Sequence, residues 1–249
     1  KQKMPLWDYV ILTASNESQA QSYRMQIQYR LDHGMLPKSI LYAVLPDPDG
    51  KRVGSGGATL NVLRYIHQDA GSFDKRILVI HSGGDSKRVP QYSACGKLFS
   101  PVPRLLPNGR RSTLFDEFMI SMCGVAARIR AGMLVCSGDV LLLFNPLQID
   151  FYGSGAAALS IKEPAEIGKN HGVYRVDEQG NVGGFLHKKT VDQLHELQAA
   201  DENGNVDIDT GAVIMDTDLL KALYKLVDTP EQFDAYVNEN TRLSFYADF

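Results

Sequence analysis

The chain has 249 residues, 44% of them hydrophobic, enough to bury a substantial core and consistent with one large α/β domain or one domain with a small appendage. A formal net charge of −3 and a pI near 6.1 exclude a broadly basic nucleic-acid binder, because no global excess of lysine and arginine exists to displace counterions from a phosphate backbone. No apolar run approaches the roughly 18 to 20 residues of a membrane span. The three cysteines, Cys95, Cys123 and Cys136, are too widely spaced for a disulfide framework or a zinc site, so a soluble protein in a reducing, cytoplasmic setting is expected.

From the first residues onward, "DYVILTA" is a short apolar run, followed by "SQAQSYRMQIQYRLDHG", where Tyr23, Ile27, Tyr29 and Leu31 sit among strong helix formers and Gly34 closes the segment. The alternation returns in "ILYAVLP" then "GSGGATLNVLRYIHQ", in "RILVIHSGG" then a long loop, and in "STLFDEFMISMCGVAARIRAG" then "GMLVCSGDVLLLF". Strands alternating with helices predict a mostly parallel sheet covered on both faces. Beyond residue 154 the pattern changes to short strands, "GAAALSIK", "HGVYRV", "VGGFLHKK" and "TGAVIM", separated by turns such as "DEQG" and "ENGN". This part should be antiparallel or mixed. Two helices are expected in "TVDQLHELQAAD" and "TDLLKALYKLV", the latter with Leu219, Leu223 and Leu226 on one face. With no internal repeat and no low-complexity linker, residues 1–249 read as one unit. A lysine at the start and "LSFYADF" at the end suggest a piece of a longer polypeptide.

Two glycine-rich stretches could carry chemistry. "GSGGATL" at 54–60 and "HSGG" at 81–84 lie near strand-helix or strand-loop junctions, where backbone N–H groups can face an anion and glycine permits close approach. A lone glycine-rich turn reads first as geometric necessity, and "GSGGAT" is no Walker loop, since no Gly-Lys-Ser/Thr follows. After "HSGG", however, come Lys87, Arg88 and Lys97, so one loop offers backbone donors, a guanidinium and two ammonium groups. Such a set suits the stabilisation of charge on a transferring phosphoryl or nucleotidyl group. In "LVCSGDVLLLF", Asp139 interrupts an apolar segment and should sit at a strand end, where it binds either a cation such as magnesium or a backbone cap.

Taken in order, "GSGGATL", "HSGGDSKRVPQYSACGKLFSPVP", "CSGDV", "HGVY", "FLHKK" and "DTGAV" resemble the pyrophosphorylase module of the L-fucose-1-phosphate guanylyltransferase family, including the N-terminal part of bifunctional fucokinase/guanylyltransferases. The likeness runs from about Gly54 to Phe249. It implies a Rossmann-like nucleotidyltransferase fold of the glycosyltransferase-A type with a mixed, mostly parallel central sheet. The implied reaction joins GTP and β-L-fucose-1-phosphate, with Mg2+, to give GDP-L-fucose and pyrophosphate. Through the same resemblance Arg88 and Lys97 would be catalytic. Thr13, Ala14, Gly54, Gly56, Gly57, Gly83, Gly84, Ser86 and Lys87 would hold the nucleotide. His171, Gly172, Lys188 and Asp209 would meet the sugar phosphate, and Asp139 with Asp248 would bind the metal. In "FLHKK", His187 and Lys189 stand where broader nucleotidyltransferases carry the acidic residue and the proline of Glu-Lys-Pro. Neither nucleic acid nor a membrane enters this expectation. Another sugar-1-phosphate nucleotidyltransferase, part of an L-fucokinase, and a non-catalytic nucleotide-binding module remain open alternatives.

Overall fold

A computed structural model describes residues 6–82, 96–149, 151, 155–246 and 248–249. The fold is mixed α/β, and the chain forms two compact units: residues 1–157 with 214–249, and residues 158–213.

In the larger unit, strands β1 (Tyr9–Ala14), β2 (Leu41–Pro46), β3 (Arg76–His81) and β6 (Gly132–Ser137) lie in the order β2-β1-β3-β6. The pairs β1–β2, β1–β3 and β3–β6 are parallel. Every residue of β1 is buried, as are the middle of β3 and nearly all of β6. Their unbroken apolar runs follow from that, because a strand covered on both faces has no solvent side to alternate with. Helix α1 (Glu17–Asp32) starts where Asn16 accepts the N–H of Gln19 at 2.9 Å. Helix α2 (Gly54–Ala70) ends on Gly71 at a φ of 65°, the left-handed position that glycine takes without cost. The hairpin β4 (Pro101–Leu105) with β5 (Arg111–Thr113) leads into α3 (Leu114–Ala126), whose start is a capping box between Thr113 and Asp116.

The strand expected through "GMLVCSGDVLLLF" stops at Ser137. Gly138 donates its N–H to the His81 carbonyl at 2.8 Å, the chain turns there, and Leu141 and Leu143 are left exposed. Helix α6 (Thr217–Tyr224) buries Leu220, with Val227 just beyond it, rather than the row Leu219, Leu223 and Leu226. Its Tyr224 ring stacks on His67 of α2 at 4.2 Å between centroids, which sets the helix rotation. Helix α7 (Pro230–Tyr236) follows, and the segment after it returns to the start of α2.

In the smaller unit, β8 (Gly172–Val176) pairs antiparallel with β9 (Val182–His187) and with β10 (Asn205–Met215), as the turn-rich sequence predicts. Strand β7 (Ala156–Pro164) pairs with β10. Val173, Leu194, Val206 and Ile208 form its core with Ala165 of α4 (Ala165–Gly168) and Ala199, which follows α5 (Val191–Glu196). No helix among the described residues is long and apolar enough to cross a membrane.

Candidate active site

Parallel strands share a direction, so the C-terminal ends of β1, β2 and β3 open at one edge of the sheet, where ligands of open α/β folds collect. A cleft of about 300 Å³ lies there, lined by Thr13 and Ser15 after β1, Asp47 and Arg52 after β2, Gly54, Ser55 and Ala58 of α2, His81 at the end of β3, and Arg242. Of the residues expected to hold a nucleotide, Thr13 and Gly54 line this cleft. Ala14 is buried beside it, its carbonyl accepting the Asp47 N–H at 2.8 Å.

The glycines of α2 have a definite packing function. The Gly56 N–H donates to the Leu243 carbonyl at 2.8 Å, a side chain on Gly54 would strike that same carbonyl, and Gly57 packs on Val53. Phe245 adds a backbone N–H to Ser55 Oγ at 2.9 Å. "GSGG" therefore lets the C-terminal segment approach the helix start closely enough to form one wall of the cleft.

His81 joins three elements. Its Nδ1 lies 3.2 Å from Thr13 Oγ1 and its Nε2 lies 3.0 Å from Thr59 Oγ1. Thr59 already donates its hydroxyl hydrogen to the Ser55 carbonyl at 2.9 Å, so it accepts from Nε2–H. Nδ1 must then accept from Thr13, whose oxygen in turn accepts the Ser82 N–H at 3.2 Å. The network assigns a neutral imidazole with its hydrogen on Nε2. Burial pushes the His81 pKa down to about 4, in agreement. Asp47, in the same cleft, is pushed up to about 6 by burial, against the Val53 N–H and the Arg52 charge.

Gly83, Gly84, Ser86, Lys87 and Arg88 lie outside the described residues, but the residues on either side, Ser82 and Gly96, meet one group. The Tyr23 hydroxyl contacts Ser82, 3.0 Å from its carbonyl and 2.8 Å from its Oγ, and a side chain on Gly96, at a φ of 63°, would collide with that hydroxyl. Lys97 follows on a short 3₁₀ turn (Lys97–Phe99) anchored by buried Leu98 and Phe99. Its Nζ faces Asp139 Oδ2 at 3.9 Å, and Ser137 Oγ donates to Asp139 Oδ1 at 2.6 Å. With side chains 43% and 56% exposed, this pair contributes little to stability and stays open to a ligand. His81 stands opposite Ser137 in the β3–β6 register, so the pair adjoins the strand that lines the cleft.

Asp248 closes a turn, its carboxylate accepting the Ser244 N–H at 2.7 Å. In the smaller unit Lys188, at a φ of 48°, donates its backbone N–H to the His171 carbonyl at 3.0 Å, which places the two residues together. Gly172 stands opposite His187 and leaves room for the Phe185 ring. Asp209 accepts the Tyr174 hydroxyl and the Gly211 N–H, each at 2.8 Å.

The "Fucose pyrophosphorylase domain" family model matches residues 72–249. The chain belongs to the fucose pyrophosphorylase family. A bifunctional fucokinase/GDP-fucose pyrophosphorylase of Arabidopsis thaliana is 31% identical over 247 residues, covering 85% of this chain and 23% of the relative. Fucose-1-phosphate guanylyltransferases of Mus musculus and Homo sapiens are 32% and 31% identical, covering 78% and 80% of this chain and 35% of each relative. The chain spans about a quarter to a third of the length of these curated relatives. Asp47, Arg52 and Arg242, which line the cleft, stand outside every motif of the sequence, whereas Ser55 and Ala58 lie within "GSGGATL". His81 sits in a quoted motif but reads as the end of an apolar strand, and Arg242 has no local signature.

Proposed function

We propose that this chain carries out nucleotidyl transfer, joining GTP and β-L-fucose-1-phosphate to give GDP-L-fucose and pyrophosphate, with magnesium as the working ion. The observation that carries the reading is the cleft at the C-terminal edge of the parallel strands, lined by Arg52 and Arg242, with the Lys97–Asp139 pair just past the end of the neighbouring strand β6. Family membership supports it.

An oxygen of the sugar phosphate attacks the α-phosphorus in line, and pyrophosphate departs with the electrons of the broken P–O bond. Both reactants are anionic, so the chain contributes placement and charge rather than a nucleophile. Lys97, with Arg88, neutralises phosphate oxygens as charge moves toward the leaving group. Thr13 and the Asp47 side of the cleft receive the nucleoside, and His171 and Lys188 receive the sugar phosphate. No thiol step is needed, and burial pushes the Cys136 thiol up to about 12.

Asp139 offers one exposed carboxylate. That fits a hard cation which takes one or two protein carboxylates and completes its shell with water and phosphate. Asp139 would hold the ion, which would supply charge neutralisation to the phosphate groups. A reducing, cytoplasmic setting belongs to the same reading, in keeping with the free thiols Cys123 and Cys136. Its partners are small phosphorylated molecules rather than nucleic acid or membrane.

The test is pyrophosphate release from GTP and magnesium, with and without β-L-fucose-1-phosphate. Release that requires the sugar phosphate is the expected result, and GTP binding without release under any sugar phosphate would sink the reading. A second reading, part of an L-fucokinase, is suggested by the bifunctional fucokinase/GDP-fucose pyrophosphorylase of Arabidopsis thaliana. It requires a nucleoside diphosphate as product in place of pyrophosphate.

A further inference from the structure

Arg242 occupies a backbone conformation that its side chain disfavours. Among the described residues only Asp49, Lys188, Gln198 and Arg242 combine a side chain with positive φ, and Arg242 stands at 45°. The turn is imposed locally: Asn238 Oδ1 accepts the N–H groups of Asn240 and Thr241 at 2.9 and 2.8 Å, and the chain then reverses at Arg242 so that Leu243 reaches Gly56. Glycine would be at ease at such a reversal. The chain instead carries arginine there, and its side chain lines the cleft.

The guanidinium is oriented but not consumed. Its Nε donates to the Glu239 carbonyl at 2.6 Å, which aims the fork, while its terminal nitrogens have no hydrogen-bond partner among the described residues. A held fork with both outer arms open matches two oxygens of one phosphate group. Backbone strain kept at a ligand cleft, where a strain-free residue exists, points to a task for the side chain.

We propose that Arg242 is an anion-binding residue of the cleft, its terminal guanidinium nitrogens taking a phosphate group of the nucleotide. The nucleotide part rests on the reading under Proposed function; the anion part does not. Calorimetric titration of the whole chain with inorganic tripolyphosphate, and separately with GTP, each with magnesium, tests the two. Arg242→Gly relieves the backbone and removes the fork, so it should bind both probes roughly tenfold more weakly or worse while melting no lower than the parent. Arg242→Lys keeps the charge without the fork and should fall between. Equal tripolyphosphate affinity in the parent and Arg242→Gly would overturn the proposal, as would a parent that binds no tripolyphosphate. So would an affinity loss that tracks a fall in melting temperature and that Arg242→Lys does not restore. Tripolyphosphate binding that depends on Arg242, without GTP binding, would keep the anion site and sink the nucleotide reading instead.

Discussion

His81 and Asp47 face one cleft with protonation equilibria displaced in opposite senses. The native His81 imidazole stays neutral down to about pH 4, whereas the unfolded one takes a proton from about 6.5 downward, so this residue costs stability as pH falls through that window. Native Asp47 takes its proton at about pH 6 and the unfolded carboxylate only near 3.8, so acidification through that range adds stability. The two effects offset each other in the parent chain. Asp47→Asn should therefore lose more stability between pH 6 and 4 than the parent, by an amount on the order of 1–3 kcal/mol, and His81→Asn should lose less. Urea unfolding at pH 7, 5 and 4 reads this directly, and parallel profiles for all three proteins would refute it. At Lys97, substitution by alanine should lower turnover roughly a hundredfold or more, with a stability change below about 1 kcal/mol, because its partner is half exposed and 3.9 Å away. That Thr13 and Gly54 line the cleft was legible in the sequence, through position after a strand and family pattern. The role of His81 was not, since its partners Thr13 and Thr59 are 68 and 22 positions distant, and a hydrogen bond over such separations leaves no periodicity to read.

Helix α1 supports the site through two buried side chains. Tyr23 holds the flanks of the segment between Ser82 and Gly96, and Gly96→Ala should cost about 3 kcal/mol through collision with its hydroxyl and a disfavoured φ. Adding Tyr23→Phe removes the collision but not the backbone penalty, so a double-mutant cycle by chemical denaturation should show a favourable coupling of about 1 kcal/mol or more. Strict additivity would contradict this arrangement. Two turns further on, Arg30 makes a bidentate pair with Asp116 at 2.7 and 3.0 Å, with side chains 5% and 7% exposed. Burial works to raise the Asp116 pKa, but Arg30 and Thr113 outweigh it and hold the carboxyl below its ordinary range. Asp116→Ala leaves a buried guanidinium uncompensated and should destabilise by about 3 kcal/mol or more, measured as the shift in urea midpoint. The parallel strands were readable because complete burial writes itself as continuous apolar sequence. The end of β6 was marked by Asp139, which the sequence places at a strand end; the hydrogen bond from Gly138 to the His81 carbonyl that turns the chain there, leaving Leu141 exposed, has no local signature.

At the scale of the molecule, the passage between the two units runs through β7 and β10 themselves, so no shift of composition marks it. The smaller unit has a modest core of its own, and Val206→Ala should weaken it by about 2 kcal/mol. Hydrogen exchange should then quicken at Val173, Tyr174 and Ile208 while Val10–Leu12 and Leu78–Ile80 keep their protection, and uniform acceleration across both sets would be the contrary result. The α/β alternation and the mixed second half followed from pattern. The wall contributed by Arg242 and Leu243 did not, because closeness between the start of α2 and a segment so far along the chain is written nowhere locally. That closure also orders events in time. Ser55 and Phe245 are 190 positions apart, and at about 5–20 residues per second of synthesis the first waits on the order of 10–40 s for the second to be made. Until residues 242–245 are made, the glycines of α2 have no C-terminal segment to pack against, and a ribosome stalled short of residue 242 holds a cleft that still lacks a side.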